Sequence, residues 1–193
     1  MRIFVAGASG VLGLRLVPLL VAAGHDVAGM TRTPGKADRL RELGAEPVVC
    51  DVYDASALRD AVVAFGPEAV VHELTDLPDE EARIPEQAGA NARMRREGTR
   101  NLVAAARAAG ARRLLAQSIA WEPDREGAEA KADLERQVLE AGGVVLRYGR
   151  LYGPGTYYED TLPEPPRVHA DEAARRTVAA LAAPSGVLEL VER

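Results

Sequence analysis

Three glycines near the start of the chain are the residues whose type and spacing most clearly indicate chemistry. Gly7, Gly10 and Gly13 follow the apolar run 3–6 and precede a second apolar stretch. A glycine turn between a buried strand and a helix typically binds the diphosphate of a dinucleotide, because unpaired N–H groups at the helix start face the phosphates. Gly7 permits the tight turn, Gly10 lets the backbone approach the diphosphate, and Gly13 lets the helix lie close to the sheet. The alternative is a closely packed strand and helix without a ligand. The expected cofactor contacts in this turn are Gly7, Ser9, Gly10, Val11, Leu12 and Gly13.

The end of the second predicted strand indicates which nicotinamide cofactor is bound. An acidic residue there would hold the ribose hydroxyl of NAD, but this strand ends in Arg32, with Lys36 one helical turn further on. A guanidinium can bind a 2′-phosphate with two hydrogen bonds, each worth about 1.5–3 kcal/mol when charged. We therefore predict that NADP(H) is preferred and that NAD(H) is the second option. The alternative is a solvated surface arginine.

Residues after the third and fourth strands complete the predicted cofactor site. Asp51 either accepts a hydrogen bond from the adenine amino group or begins the cap of the next helix, and the sequence does not separate these roles. Two residues past the fourth strand should lie along the ribose and diphosphate. The expected contacts here are Asp51, Val52, Leu74 and Thr75.

Strands and helices alternate along the whole chain, with short links between them. This pattern predicts an α/β, Rossmann-type, doubly wound parallel sheet with helices on both faces. We expect one dinucleotide-binding domain over residues 1–193. The predicted strands are 3–6, 26–31, 46–50, 69–72, 112–117, 144–147 and 187–191, and the predicted helices are 11–23, 34–43, 54–65, 91–109, 126–141 and 171–182.

Composition excludes several other classes of protein. The net charge of −5 without a basic stripe argues against a nucleic-acid partner. A single cysteine, Cys50, excludes an internal disulfide, and the three histidines show no metal-ligand spacing. Since the most apolar stretch contains Arg15 and Pro18, we expect no membrane span, and we expect a cytoplasmic protein.

Four segments resemble the short-chain dehydrogenase/reductase superfamily, in its extended or atypical NAD-dependent epimerase/dehydratase branch. They are the glycine turn at 5–13, Asn91 followed by 97–102, the stretch 146–155, and the stretch 168–174. The resemblance implies that residues 148–155, beginning with Tyr148, surround the nicotinamide half of the cofactor. It also implies that Asn91 braces the catalytic region.

The same resemblance implies a serine or threonine, a tyrosine and a lysine as catalytic residues, with the tyrosine four positions before the lysine. Lys131 stands in the expected place, but Gly127 occupies the tyrosine position. Ser118 is a partial match to the serine. Lys131 either holds the nicotinamide ribose or is an ordinary exposed helix lysine. A replacement hydroxyl could come from Tyr148, Tyr152, Tyr157 or Tyr158, and the candidate catalytic residues are Ser118, Lys131 and Tyr152.

The resemblance implies a substrate lobe after Gly155, where this chain has only a short proline-rich link at 156–167. In that link the pair Tyr157 and Tyr158 either roofs a pocket or packs the shortened loop onto the domain. We expect an NADP(H)-dependent oxidoreductase acting on a small carbonyl or hydroxyl substrate. The alternatives are a dinucleotide sensor or partner-binding module, and a non-redox tailoring enzyme. The helices predicted at 91–109 and 126–141 are those through which this superfamily commonly forms a homodimer.

Overall fold

A computed structural model describes residues 1–192 and contains one central parallel sheet of seven strands. The strands are β1 (Arg2–Ala6), β2 (Asp26–Thr31), β3 (Glu46–Val49), β4 (Ala69–His72), β5 (Arg113–Ile119), β6 (Val144–Tyr148) and β9 (Gly186–Leu190). Their order in the sheet is β3-β2-β1-β4-β5-β6-β9, which confirms the predicted doubly wound Rossmann-type fold.

Helices connect these strands on both faces of the sheet. They are α1 (Gly13–Ala22), α2 (Ala37–Glu42), α3 (Ala55–Phe65), α4 (Ala88–Arg93), α5 (Thr99–Ala108), α6 (Arg125–Glu140) and α7 (Ala170–Ala180). The predicted helix 91–109 is α4 and α5 joined by a π turn (Met94–Gly98). Short 3₁₀ turns occupy Pro34–Lys36 and Glu81–Gln87. None of the helices in residues 1–192 is long and apolar enough to cross a bilayer.

The core has two layers because successive side chains of each strand point to opposite faces of the sheet. In β1, Ile3 and Val5 pack on the layer formed with α1 and α7, and Phe4 and Ala6 pack on the other. All four are fully buried. A parallel sheet covered on both faces needs such continuous apolar strands.

Main-chain contacts fix the glycine turn at the point where the strand order changes direction, between β1 and β4. Gly7 adopts φ +88°, and a Cβ atom there would lie 2.7 Å from the carbonyl carbon of Glu73. A Cβ atom on Gly13 would lie 2.3 Å from the Gly7 carbonyl oxygen. Only glycine satisfies both contacts. In folds of this class the ligand crevice lies at this change of direction.

The strands β7 (Arg150–Tyr152) and β8 (Arg167–His169) form a small second parallel sheet that the sequence pattern did not reveal. The proline-rich link connects them and crosses toward the loop after β4. There the Tyr157 hydroxyl donates to the Pro78 carbonyl and the Tyr158 hydroxyl donates to the Glu81 carboxylate. The tyrosine pair thus anchors the link to the domain.

A buried carboxyl group lies directly beneath the glycine turn. Oε1 of Glu73 is 2.9 Å from the Tyr148 hydroxyl, which is 2.6 Å from Thr177 Oγ1, and Thr177 donates to the Ala173 carbonyl at 2.8 Å. Oε2 of Glu73 has no partner among the described residues. Burial raises the pKa of Glu73 from 4.5 to about 8, although the contact with Tyr148 opposes the shift. With Glu73 protonated, each hydroxyl group in this hydrogen-bonded series from Glu73 to the Ala173 carbonyl has a proton to donate and an acceptor for that proton.

This carboxyl group should make the stability of the protein depend on pH. Between pH 4.5 and about 8 the unfolded state loses the Glu73 proton while the folded state keeps it, so the free energy of unfolding should fall as pH rises. The free energy of unfolding of Glu73→Gln, measured with denaturant at several pH values, should not show this part of the decline. Glu189→Gln, an exposed change, should follow the unmodified protein. If the free energies of unfolding of Glu73→Gln and the unmodified protein changed in parallel with pH, the raised pKa assigned to Glu73 would be contradicted.

Candidate cofactor and active site

The glycine turn presents unpaired amides at the predicted diphosphate position. The N–H groups of Ser9, Val11 and Leu12 donate to no group within residues 1–192. Ser9 Oγ lies 2.9 Å from Thr31 Oγ1, which connects the turn to β2. Gly10 is exposed, and a Cβ atom there would meet only the Gly7 carbonyl, at 3.3 Å, so the crevice above it is open. Free amides at a helix start fit a dinucleotide diphosphate.

Arg32 lies at the end of β2, beside the predicted adenosine end of the crevice. Its side chain is 59% exposed, and its Nη2 donates to Asp76 Oδ1 at 2.9 Å. This hydrogen bond raises the pKa of Arg32. The Asp76 amide in turn donates to Asn91 Oδ1 at 3.2 Å, so Asn91 braces the loop after β4. Lys36 is exposed and makes no ion pair in the described part of the chain.

The adenine side of the crevice contains Asp51 and Val52. Asp54, not Asp51, caps α3 by accepting from the Ala57 amide at 3.0 Å, so the cap role considered for Asp51 is wrong. One carboxylate oxygen of Asp51 accepts from the Tyr53 amide at 2.9 Å, which leaves the second for an adenine amino group. Val52 is buried, and its contact with adenine stays a prediction.

The loop after β4 is held close to the glycine turn by its main chain. The Leu74 amide donates to His72 Nδ1 at 3.2 Å, and the Leu74 carbonyl accepts from Gln117 Nε2 at 2.7 Å. Thr75 follows and is exposed. Burial lowers the pKa of His72 to about 4, so this ring is neutral where it supports the loop. Contacts of Leu74 and Thr75 with the ribose and diphosphate stay a prediction.

Tyr148 lies in the interior, in the hydrogen-bonded chain with Glu73 and Thr177, and only 3% of its surface is exposed. Burial raises its pKa well above 10. The expectation that the Tyr148 side chain could serve as a proton donor is therefore wrong. Only the main chain at this position can contact a cofactor.

Ser118 faces α6 and not the crevice, which corrects its assignment as a catalytic residue. The strand β5 continues to Ile119, so Ser118 points to the same face as Leu114 and Ala116. Its hydroxyl donates to Glu135 Oε1 at 2.6 Å. Burial acts to raise the pKa of Glu135, but its hydrogen bonds from Arg147 and Ser118 lower it overall. Ser118 thus supports a buried ion pair.

Lys131 is buried, so its interpretation as an exposed helix lysine is wrong. Its Nζ donates to the Trp121 carbonyl at 3.2 Å and to Glu122 Oε1 at 2.9 Å. One turn earlier, a Cβ atom on Gly127 would lie 2.9 Å from Asp124 Oδ1 and 3.0 Å from the Pro123 side chain. The side chains of Pro123 and Asp124 therefore crowd the position that the Cβ atom of the family's tyrosine would take.

Tyr152 is held on the β7–β8 side of the molecule. Its hydroxyl donates to Glu192, and its ring packs edge-on against His169 with centroids 5.1 Å apart. Hydrogen bonds therefore connect none of the three predicted catalytic side chains, Ser118, Lys131 and Tyr152, to either of the others. Sequence reasoning missed Asp76 and Arg95, whose partners are far away in the sequence: Asp76 pairs with Arg32, and Arg95 donates to the Gly127 carbonyl.

Comparisons with known proteins identify the family and the fold of this chain. A family described as NAD(P)H-binding matches residues 7–183. The chain is 43% identical, over 182 residues, to the 3-diazoavenalumate denitrifying reductase of a Streptomyces species. That alignment covers 82% of this chain and 59% of the relative. Over 62 residues it is 36% identical to a 4-hydroxy-2-methyl-3-oxo-4-farnesyl-3,4-dihydroquinoline-1-oxide ketoreductase of Stigmatella aurantiaca, covering 32% of this chain and 19% of that protein. The chain thus spans about three-fifths of the first of these relatives and about one-fifth of the second.

Solved structures share the whole architecture at low sequence identity. The UDP-glucose 4-epimerase of Thermus thermophilus, in complex with NAD, superposes with a TM-score of 0.80 at 19% identity, over 99% of this chain and 78% of that chain. The UDP-glucose 4-epimerase of Brucella ovis, also in complex with NAD, gives 0.82 at 16% identity, over 98% and 77%. The resemblance to the epimerase branch is confirmed at the level of fold. The family match begins at Gly7 and covers most of the chain, including five of the seven strands of the central sheet, and the chain therefore belongs to the NAD(P)H-binding family.

Proposed function

We propose that the protein is an NAD(P)H-dependent reductase that transfers hydride to a small substrate needing no proton from the enzyme, such as an aromatic diazonium ion. In that reaction the carbon–nitrogen bond breaks, N₂ leaves with the bonding electrons, and hydride forms a new carbon–hydrogen bond. The substrate carbon is reduced, NAD(P)H is oxidised, and the charges balance. Reduction of a carbonyl consumes a proton as well.

The absence of a tyrosine at Gly127, where even a Cβ atom would be crowded, is the observation that carries this proposal. Pro123 and Asp124 occupy the space beside Gly127, and the hydroxyls of Ser118, Tyr148 and Tyr152 are engaged elsewhere. A positioned general acid contributes about 10²–10⁴ in rate, so a carbonyl reductase without one would be slow. A diazonium substrate avoids this loss. The Streptomyces relative, a denitrifying reductase named for a diazo compound, supports the same substrate class.

The residues of this chain would bind and orient the reactants. The amides of Ser9, Val11 and Leu12 would hold the diphosphate, and Asp51 would accept from adenine. The cofactor supplies hydride when it is bound. The buried ammonium of Lys131, fixed by the Trp121 carbonyl, would donate to the ribose of the nicotinamide half.

We expect the cofactor to be NADP(H), because Arg32 stands at the end of β2 where a 2′-phosphate would lie. Asp76 holds Arg32 in the free protein and would repel that phosphate. Asp76 should therefore weaken the binding of NADPH without affecting NADH.

Cofactor titrations of two variants test this preference. Arg32→Ala should weaken NADPH binding by at least about tenfold, since a charged hydrogen bond is worth about 1.5–3 kcal/mol, and should leave NADH binding nearly unchanged. Asp76→Asn keeps the amide that donates to Asn91 but removes the charge, and it should tighten NADPH binding. The control is Arg39→Ala, an exposed arginine paired with Glu42 on α2. An unchanged NADPH-to-NADH ratio in Arg32→Ala would overturn the assignment.

Substrate class is tested with NADPH carrying deuterium at the transferred position. We expect 4-methoxybenzenediazonium to yield deuterated anisole and one N₂ per NADPH, above the protein-free rate. A panel of carbonyls should react about 10²–10⁴ more slowly. Gly10→Asp places a negative side chain in the open crevice. This variant should remain folded and should reduce the diazonium ion no faster than the protein-free solution does. Faster turnover of carbonyls would refute the diazonium assignment, and cofactor binding without any turnover would favour the sensor alternative.

A further inference from the structure

Arg95 is a partly buried cation that no carboxylate within residues 1–192 pairs with. It lies in the π turn between α4 and α5, and its Nη1 donates to the Gly127 carbonyl at 3.4 Å. It makes no ion pair with a carboxylate in residues 1–192. Guanidinium offers five N–H donors, and this long contact uses one. We infer that Arg95 binds a carboxylate group of the substrate at the α4–α6 wall of the crevice.

The neighbours of Arg95 along the helical segment place it at the C-terminal edge of the sheet. Asn91, four residues before it, accepts from the Asp76 amide in the loop after β4. Thr99, four residues after it, has its Oγ1 3.0 Å from His72 Nε2 at the end of β4. Arg95 lies between these two contacts and reaches across to Gly127 on α6, the position of the missing tyrosine. π turns often occur at functional sites.

The nearest acidic groups are already engaged. Asp124 caps α6 by accepting from the Gly127 amide at 2.8 Å, and Glu135 is paired with Arg147 at 2.6 Å. Burial lowers the pKa of Arg95, and the attraction of these two carboxylates at a distance offsets it only in part. The free N–H groups of this partly buried guanidinium are therefore available to pair with a bound anion.

Arg95 is the cation on this wall that has no ion-pair partner within residues 1–192, because the other one, Lys131, is paired with Glu122 at 2.9 Å. A planar carboxylate carries one negative charge and accepts two parallel hydrogen bonds from guanidinium. A phosphate dianion would exceed the available charge. Anchoring a substrate carboxylate here would fix the orientation of the rest of the substrate in the crevice.

Because this inference rests on the proposed reductase function, its test measures binding without turnover. Benzoate and its uncharged counterpart benzamide are titrated calorimetrically into the protein saturated with NADP⁺, and into the protein alone. Benzoate should bind at least about tenfold more tightly than benzamide, as expected for one charged hydrogen-bonded pair. Arg95→Gln should abolish the difference, and Arg95→Lys should keep part of it. Arg100→Gln, an exposed arginine one turn further along, should keep all of it.

Circular dichroism and NADP⁺ affinity establish that each variant is folded. Equal binding of benzoate and benzamide by the unmodified protein would overturn the inference, and so would a preference for benzoate that survives in folded Arg95→Gln. The two proposals fail separately. A benzoate preference that depends on Arg95, together with no diazonium reduction, would leave the carboxylate site standing and remove the proposed reaction.

Discussion

The main chain of the glycine turn lies directly against the main chain that follows β4, and the geometry of the whole crevice depends on this contact. Gly7 has no room for a Cβ atom beside Glu73, and Gly13 has none beside Gly7. The close approach starts α1 at the edge of the sheet and leaves three amides without partners in the described chain. Beneath it, the protonated Glu73 and its hydroxyl chain fill the interior without a buried charge.

The opposite wall of the crevice differs from what the resemblance implied. The loop after β5 closes over Gly127, and Arg95 reaches the same place from the π turn. A residue that donates protons is thus replaced by a fixed cation, which holds a charge but does not titrate near neutral pH. Such a wall suits binding and orientation of an anionic substrate better than acid catalysis. The missing tyrosine and the fixed cation both fit a reaction that needs hydride transfer but no proton from the enzyme.

The sequence could predict the parts of the molecule that local patterns determine. The glycine turn, the apolar strands and the helix starts follow from residue type and spacing, and they lie within a few residues of the expected bounds. Ser118 was misplaced because the strand β5 extends to Ile119, two residues past its predicted end, so Ser118 lies within the strand and on the face that packs against α6. Asp76 and Arg95 depend on partners more than 30 residues away, Arg32 and Gly127, and no local pattern carries that information. The pairing of β7 with β8 is likewise non-local.

Binding of NAD(P)H should place its diphosphate against the free amides of the glycine turn. This contact can be followed residue by residue in a titration of the ¹⁵N-labelled protein with NADPH, monitored by amide NMR. The amide resonances of Ser9, Val11 and Leu12 should shift together and saturate, while those of the exposed face of α6 stay in place. Saturating NADPH that leaves these three resonances unmoved would contradict the account.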